Sequence, residues 1–242
     1  MNKLKRIKIV DMMWVSLLVM VLLLFGWMAS SLAREGLGFQ VNLNELVSET
    51  QKGSQKPDEI TLIWWIPEEF WRESFAQDNS ITSDGAEEFI KILRPYTLVA
   101  LVDGKMGTFG GITYRSEADV RKILQIKDRY GTYYSPLGKD KIDSDTSNFL
   151  AMMKPMIANI LGPMGQNMNF FVFPARDNKG QKIVEAKKKG TFSIKLGENE
   201  YRWRLPLSSL LPPKICPRCK EIGSGAWNFC PWCGTELPKS TE

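Results

Sequence analysis

The alternation of apolar and polar residues between about residues 59 and 211 predicts helices mixed with strands. Ile60–Ile66 is apolar at nearly every position, which is typical of a buried strand. Pro67–Phe75 begins with a proline and two acids and predicts a helix. Ser83–Leu93 has apolar residues at helical spacing and predicts a second one. Asp145–Leu161 predicts the longest helix, with a stripe of Phe, Met and Ile that one proline interrupts.

Two pairs of apolar segments predict antiparallel hairpins. Thr97–Val102 runs into Asp103–Gly104, a residue pair that favours a tight turn, and the chain returns towards Tyr114. Thr191–Leu196 and Tyr201–Leu205 flank a short polar turn, and their apolar residues fall on one face. Both patterns indicate strands that are neighbours in sequence and in the sheet.

The remaining elements complete an α+β pattern. Ser116–Leu124 predicts a helix whose first turn is capped by Ser116 and Asp119. Arg129–Ser135 predicts a strand, and Met168–Phe173 has so few polar positions that we expect it in the middle of the sheet. We therefore predict that residues 59–211 form one mixed α+β domain with antiparallel hairpins and several helices.

The N-terminal part of the chain predicts a membrane anchor. Residues 12–33 carry no charge and are numerous enough to cross a bilayer as a helix, at about 1.5 Å per residue. Residues 1–11 carry four cations, and few cations follow the apolar stretch. Because positive flanks stay in the cytoplasm, this pattern predicts a single-pass protein of the cell membrane with an extracytoplasmic body.

A cleaved signal peptide is the alternative for the same residues. Ser31-Leu32-Ala33 presents small residues where a signal peptidase would cut, and cleavage there would leave a periplasmic or secreted protein. Both interpretations export the body. Residues 34–58 are mostly polar, and Thr50–Asp58 has the composition of a linker.

The charge balance excludes an electrostatic attraction of the body to nucleic acid. The chain has 32 Lys and Arg, 27 Asp and Glu, and a net charge of +5. Without the four N-terminal cations and Asp11, the remainder has 28 cations and 26 anions. Nucleic-acid binding requires a basic surface that this balance does not supply. The run Lys187–Lys189 is most simply a solvated strand end or loop.

The composition also restricts the chemistry. The chain contains no histidine, which excludes Ser-His-Asp and Cys-His catalysis and any histidine metal ligand. We assign no catalytic residue, although an envelope enzyme that uses carboxylates is an alternative function. The aromatic residues around Trp64, Trp65, Phe70 and Trp71 indicate either a core or a binding surface.

The four cysteines form the most specific pattern in the chain. Cys216 and Cys219 make one Cys-x-x-Cys pair, and Cys230 and Cys233 make a second pair ten residues later. Each pair can turn back onto one tetrahedral ion, so the spacing predicts one zinc ion held by four thiolates. Four protein ligands leave no open position, which indicates a structural and not a catalytic metal.

Residues 216–237 resemble the small bacterial zinc-ribbon family, which repeats a Cys-Pro-x-Cys-Gly motif with a Phe just before the second copy. Phe229 and Gly234 match this motif, whereas Lys220 replaces the first glycine. The resemblance implies metal binding alone, and we predict a ribbon at residues 214–238. We expect this ribbon to be an interaction module of a binding or assembly protein that has a protein partner.

Two other interpretations of the cysteines remain. Cys-Pro-x-Cys can be a thiol-redox motif, although neither pair precedes the helix that would stabilise a thiolate. Export to an oxidising compartment could also convert the same four thiols into two disulfides, unless zinc protects them.

Overall fold

The computed structural model describes residues 39–78 and 80–239, which form a mixed α+β fold with antiparallel sheets and six helices. The predicted basic N-terminus and the apolar stretch at residues 12–33 lie outside the described residues. Within the described ranges, none of the helices has the length and apolar character needed to span a membrane.

The helices and strands alternate along the chain. The helices are α1 Leu43–Thr50, α2 Glu68–Ala76, α3 Ser83–Leu93, α4 Glu117–Ile123, α5 Ser144–Leu161 and α6 Pro163–Gln166. The strands are β1 Gln51–Gly53, β2 Glu59–Ile66, β3 Tyr96–Met106, β4 Ile112–Tyr114, β5 Leu124–Lys127, β6 Tyr133–Tyr134, β7 Asn169–Pro174, β8 Gly190–Leu196, β9 Asn199–Leu205, β10 Lys214–Ile215 and β11 Ile222–Gly223. The structure thus confirms the predicted strand β2, the helices α2 to α5 and the hairpin of β8 and β9.

The longest strand, β3, organises the larger sheet. This sheet has the order β1-β2-β3-β4, and β7 also pairs with β3. On one side, β3 pairs with β2 from Leu98 to Lys105. On the other side, it pairs first with β7 and then with β4. The smaller sheet has the order β6-β5-β8-β9, and β10 and β11 form a separate pair near the C-terminus.

Aromatic contacts hold the two main sheets together. Trp65 of β2 lies with its ring centroid 4.5 Å from that of Phe192 and 6.4 Å from that of Trp203, both on the smaller sheet. Trp71 on α2 contacts Phe149 on α5, with centroids 5.5 Å apart. Trp65 and Trp71 are almost completely buried. The aromatic density around residues 64–71 is therefore core, and the alternative of an exposed binding surface is wrong.

The expected turn at Asp103–Gly104 does not form, because β3 continues through both residues to Met106. β2 pairs with β3 as far as Lys105, so the hydrogen-bonded ladder keeps the chain extended. Asp103 accepts hydrogen bonds from Thr61 and from Arg115, over 2.8 and 2.7 Å, as a cross-strand partner does. The chain turns later, in the glycine-rich segment 107–111.

Strand β7 is not central to its sheet, since β3 is the one strand that pairs with it in the described part of the chain. Its outer edge is covered by a loop instead. The Leu137 N–H donates to the Val172 carbonyl over 2.7 Å, and Arg121 donates to the Leu137 carbonyl over 2.8 Å. The covered edge explains why an edge strand can be as apolar as a central one.

The stretch that we expected to be a linker is structured between residues 43 and 53. Asn42 caps α1 by accepting from the backbone of Asn44 and Glu45, and Leu46 is fully buried. Strand β1 then pairs with β2. The polar composition concealed this helix because only its buried stripe contacts the core.

The predicted strand at Arg129–Ser135 is reduced to the two residues of β6. Asp128 causes the difference by accepting hydrogen bonds from the backbone of Tyr130 and Thr132, each over 2.8 Å, which forms a turn. Its longer partner is β5, of which only Leu124 belonged to the predicted helix Ser116–Leu124. The run Lys187–Lys189 is an exposed loop, as expected.

Candidate metal centre

Two similar turns carry the four cysteines. In the first, the Cys216 N–H donates to the Glu221 carbonyl over 2.9 Å, and the Lys220 N–H donates to the Cys216 carbonyl over 3.0 Å. The second repeats this pattern fourteen positions later, from Cys230 to Thr235 over 2.8 Å and from Gly234 to Cys230 over 2.9 Å. The equivalent backbone bonds place each Cys-x-x-Cys pair in the same local geometry.

A left-handed residue ends each of these turns. Gly234 has φ 72°, and Lys220, at the corresponding position of the first turn, has φ 65°. Glycine adopts this conformation at no steric cost, whereas a residue with a side chain does not. Lys220 donates through its ammonium group to the Pro217 carbonyl over 2.9 Å, which partly offsets that cost. The replacement of glycine by Lys220 thus leaves the turn intact.

The four sulfur atoms converge on one point. The Sγ of Cys216 lies 3.5 Å from that of Cys233, and the Sγ of Cys219 lies 3.5 Å from that of Cys230 and 3.6 Å from that of Cys233. All four Sγ atoms lie within 4.8 Å of one another. This group could therefore hold a metal ion, and no other cluster of acidic or thiol ligands in residues 39–78 and 80–239 could.

The distances between the sulfurs also describe their chemical state. A sulfur–sulfur bond is about 2.05 Å long, so these contacts are not disulfides. All four cysteines are free in the structure, with Cys216 and Cys230 buried and the other two partly exposed. The arrangement is a cluster of thiols around a common centre.

The thiols of the cluster compete for negative charge. Backbone hydrogen bonds from Cys219 and Arg218 lower the pKa of Cys216, and hydrogen bonds with the hydroxyl and backbone N–H of Thr235 lower the pKa of Cys233 to about 6. A backbone hydrogen bond from Glu221 lowers the pKa of Cys219, but burial and the other three sulfurs raise it overall to about 12. Thiolates this close repel one another, and a cation between them removes that repulsion.

The ribbon around this cluster has almost no hydrophobic core. Within it, Leu237 is the buried apolar side chain that packs with Cys216 and Cys230. Most of its large apolar side chains point to solvent, and we call them the ribbon surface. They are Ile215, Ile222, Trp227, Phe229 and Trp232, between 41% and 69% exposed.

Sequence reasoning did not identify the ribbon surface. Ile215 pairs with Ile222 across β10 and β11, Phe229 directly precedes Cys230, and Trp232 lies between Cys230 and Cys233. The five side chains are not consecutive in the sequence, so no apolar run marks them. The signal that could have revealed it is the excess of large apolar residues over what a metal-centred ribbon can bury.

Glu68 on α2 and Glu87 on α3 form ion pairs with two arginines. Arg72 bridges Glu68 and Glu87 over 2.8 and 3.2 Å, and Arg94 also contacts both. Glu69 has no ion pair within the described residues, and it lines a cleft of about 170 Å³ together with Glu68, Arg94 and Lys182. Burial raises the pKa of Glu69. Arg72 and Arg94 thus pair with the carboxylates of Glu68 and Glu87, which are not free for acid–base chemistry.

Protein-family models, curated proteins and solved structures were compared with this chain, and none of them matches it.

Proposed function

We propose that this chain is an exported, membrane-anchored binding or assembly protein whose C-terminal ribbon holds one structural zinc ion and docks to a protein partner. The observation that carries the proposal is the convergence of the four Sγ atoms of Cys216, Cys219, Cys230 and Cys233. Residues 12–33 supply the anchor in this proposal, and residues 214–238 supply the interaction module.

The sulfur geometry supports zinc as the metal. A zinc ion about 2.3 Å from each thiolate in a tetrahedron requires sulfurs about 3.8 Å apart. Three of the six separations in the cluster are 3.5, 3.5 and 3.6 Å, and none exceeds 4.8 Å, so the cluster is close to the size that the ion requires. Zinc favours four sulfur ligands in this geometry and has no redox chemistry of its own.

The ribbon surface supports a docking role. Five large apolar side chains are exposed on a unit of only about 25 residues, and exposed apolar surface is typical of interaction sites. Trp and Phe are enriched in protein interfaces, where they supply most of the binding energy. The metal holds the ribbon rigid and thereby presents these side chains in a fixed arrangement.

The first experiment measures zinc and free thiols in the full-length chain, purified in detergent without chelator. We expect one zinc per chain and four thiols that react only after the metal is removed. Cys219→Ser should lose the zinc, whereas Trp232→Ala should keep it because the exposed indole is not a ligand. Disulfides or reactive thiols without zinc would reject the structural centre and favour the redox alternative.

A second experiment addresses docking separately from metal binding. Chemical crosslinking in native membranes should join the ribbon of the wild-type chain to a specific partner. The double substitution of Phe229 and Trp232 by Ser should remove this crosslink and leave the zinc content unchanged. An undiminished crosslink in that variant would reject the ribbon surface as the docking site.

A further inference from the structure

The hairpin of β3 and β4 ends in an apolar tip formed by residues 106–113. Its large side chains are Met106, Phe109 and Ile112, which are 41%, 102% and 42% exposed. The pairing of β2 with β3 ends at Lys105, so the tip lies beyond the end of that ladder. Phe109 at the turn is as exposed as it would be in an extended chain.

The apolar tip is a closed turn and not a loose loop. The Gly107 N–H donates to the Gly111 carbonyl over 2.7 Å, and the Gly110 N–H donates to the Gly107 carbonyl over 2.9 Å. Gly110 has φ 83°, which a residue with a Cβ would adopt only under strain. The backbone therefore holds Phe109 outward in a defined position, where water gives it no favourable contact.

Charges are absent from the apolar tip and present directly behind it. Residues 106–113 carry no ionisable side chain, whereas Lys105 precedes them and Arg115 follows closely. The side chains of Lys105 and Arg115 are 73% and 49% exposed. Aromatic and aliphatic residues in front of cations are an arrangement found at membrane interfaces.

We propose that the apolar tip inserts Phe109 into the interface of the lipid bilayer to which the chain is anchored. This inference rests on the anchor of the proposed function. From Ala33 at the end of the predicted anchor to Leu43 at the start of α1 there are ten residues, which span at most about 35 Å. So short a connection keeps the body close to the bilayer, and this raises the effective concentration of lipid at the tip.

The charges near the tip indicate which force dominates. Lys105 lies 3.5 Å from Asp58, and Arg115 lies 2.7 Å from Asp103. Because both cations have an acidic neighbour, attraction to anionic lipid contributes little and burial of Phe109 contributes most. Insertion should therefore change little between low and high salt and depend strongly on the side chain at position 109.

The test places the photo-reactive residue p-benzoyl-phenylalanine at position 109 of the full-length chain. The protein is reconstituted in vesicles of phosphatidylethanolamine and phosphatidylglycerol, irradiated and digested, and lipid adducts on the tip peptide are counted by mass spectrometry. The matched control carries the same residue at position 130, because Tyr130 is 69% exposed on the turn between β5 and β6. We expect adducts at position 109 to exceed those at position 130 by roughly ten-fold, because burial of one aromatic ring in the bilayer favours the inserted state by about that factor.

Equal adduct yields at the two positions would overturn the proposal. Crosslinks from position 109 to a second copy of the chain or to another protein, without lipid adducts, would overturn it as well. A wash of the vesicles in alkali tests the anchor independently, because an anchored chain stays with the lipid. If the wash releases the chain, the anchor is rejected. The released chain is then added back to vesicles, and its adduct yield at position 109 still decides the role of the tip.

A substitution supplies a second measurement. Phe109→Ser should keep the fold, since Phe109 makes no contribution to the core. Hydrogen exchange of the amides of residues 107–111 should be slower in vesicles than in detergent for the wild-type chain and equal in both for the variant. Slower exchange in vesicles for both proteins would show that Phe109 is not the inserted group and would overturn the proposal.

Discussion

The indole N–H of Trp64 donates a hydrogen bond to the hydroxyl of Thr50 over 3.2 Å, in the interior of the protein. The Thr50 hydroxyl in turn donates to the Leu46 carbonyl over 2.8 Å. Helix α1 is thereby joined to the buried strand β2, across a segment whose composition resembles a linker. The protein domain consequently begins before residue 59.

Removal of the Thr50 hydroxyl should destabilise the fold. Thr50→Val keeps the shape of the side chain but leaves the buried N–H of Trp64 without its acceptor. We expect the free energy of unfolding to fall by about 1–3 kcal/mol. Urea unfolding of the full-length chain in detergent measures this change. Thr50→Ser keeps the hydroxyl, so its free energy of unfolding should fall by less. An equal loss in both variants would contradict the role of the hydrogen bond.

Glu49 fastens the end of α1 to the far end of the domain. Its carboxylate accepts four hydrogen bonds, from the backbone N–H and the hydroxyl of both Ser208 and Ser209, over 2.7 to 2.9 Å. Glu49→Gln replaces one acceptor oxygen with an amide NH₂ group, which would face the N–H and hydroxyl donors of the serines. We expect a loss of about 2 kcal/mol in the same unfolding measurement.

The control for this substitution lies on the same helix. Glu45 is exposed and accepts from the Asn42 side chain over 3.1 Å. Glu45→Gln keeps an acceptor at that position and should leave the free energy of unfolding nearly unchanged. If both variants lose the same stability, charge and not the contact with the serines is responsible.

The two cysteine turns give a matched pair of substitutions. Gly234→Ala forces a Cβ into the left-handed region, at a cost of about 1–2 kcal/mol, and should weaken zinc binding roughly ten-fold. Lys220→Gly relieves the same strain in the first turn and should strengthen binding. Competition with a coloured zinc chelator measures both constants. A change of the same sign in both variants would contradict the strain argument.

Removal of the metal should unfold the ribbon alone. Its core consists of Leu237 and the cysteines, which is too little apolar surface to hold the fold without an ion. After addition of a strong chelator, hydrogen exchange should become fast in residues 214–238 and remain slow in residues 59–211. Loss of protection across both parts would show that the ribbon and the domain unfold as one unit.

Glu69 should make stability depend on pH. Burial raises its pKa, so the folded state binds the proton more tightly than the unfolded chain does. Any stability that this group contributes is therefore present below the unfolded pKa, near about 4.3, and is lost as pH rises through the folded value. Glu69→Gln should be more stable than the wild-type chain at about pH 7 and equal to it at about pH 3.

Unfolding in urea at several pH values checks this expectation. Glu88→Gln serves as the control, since Glu88 is exposed on the neighbouring helix α3. The control should shift the free energy of unfolding little. A Glu69→Gln variant that is less stable at about pH 7 would indicate a favourable contact of the ionised carboxylate.

Local patterns in the sequence predicted the elements whose signals lie within a few residues. Helix α3 begins and ends where its apolar spacing and its flanking residues indicate, at Ser83 and Leu93. The hairpin of β8 and β9 pairs Phe192 with Trp203 and Ile194 with Tyr201, as the alternation predicted. These elements depend on contacts between residues that are close in the sequence, and a local pattern can therefore predict them.

Other features depend on partners that are distant in the sequence. Asp103–Gly104 would favour a turn in isolation, but the ladder with β2 keeps the pair extended. β7 is as apolar as a central strand because a loop around Leu137 covers its edge. Helix α1 is held by hydrogen bonds to Trp64, Ser208 and Ser209. The residues next to α1 in the sequence give no sign of these contacts.

The sequence by itself determined which thiols are available to a metal, because its four cysteines form two short-spaced pairs and it contains no histidine. Only the tertiary structure decided that the four sulfurs meet within 4.8 Å, and that Trp64 and Trp71 are buried while Phe109 and Trp232 are exposed. The physical reason is that residue type fixes what a side chain can bind, whereas burial is set by the packing of the whole chain around it.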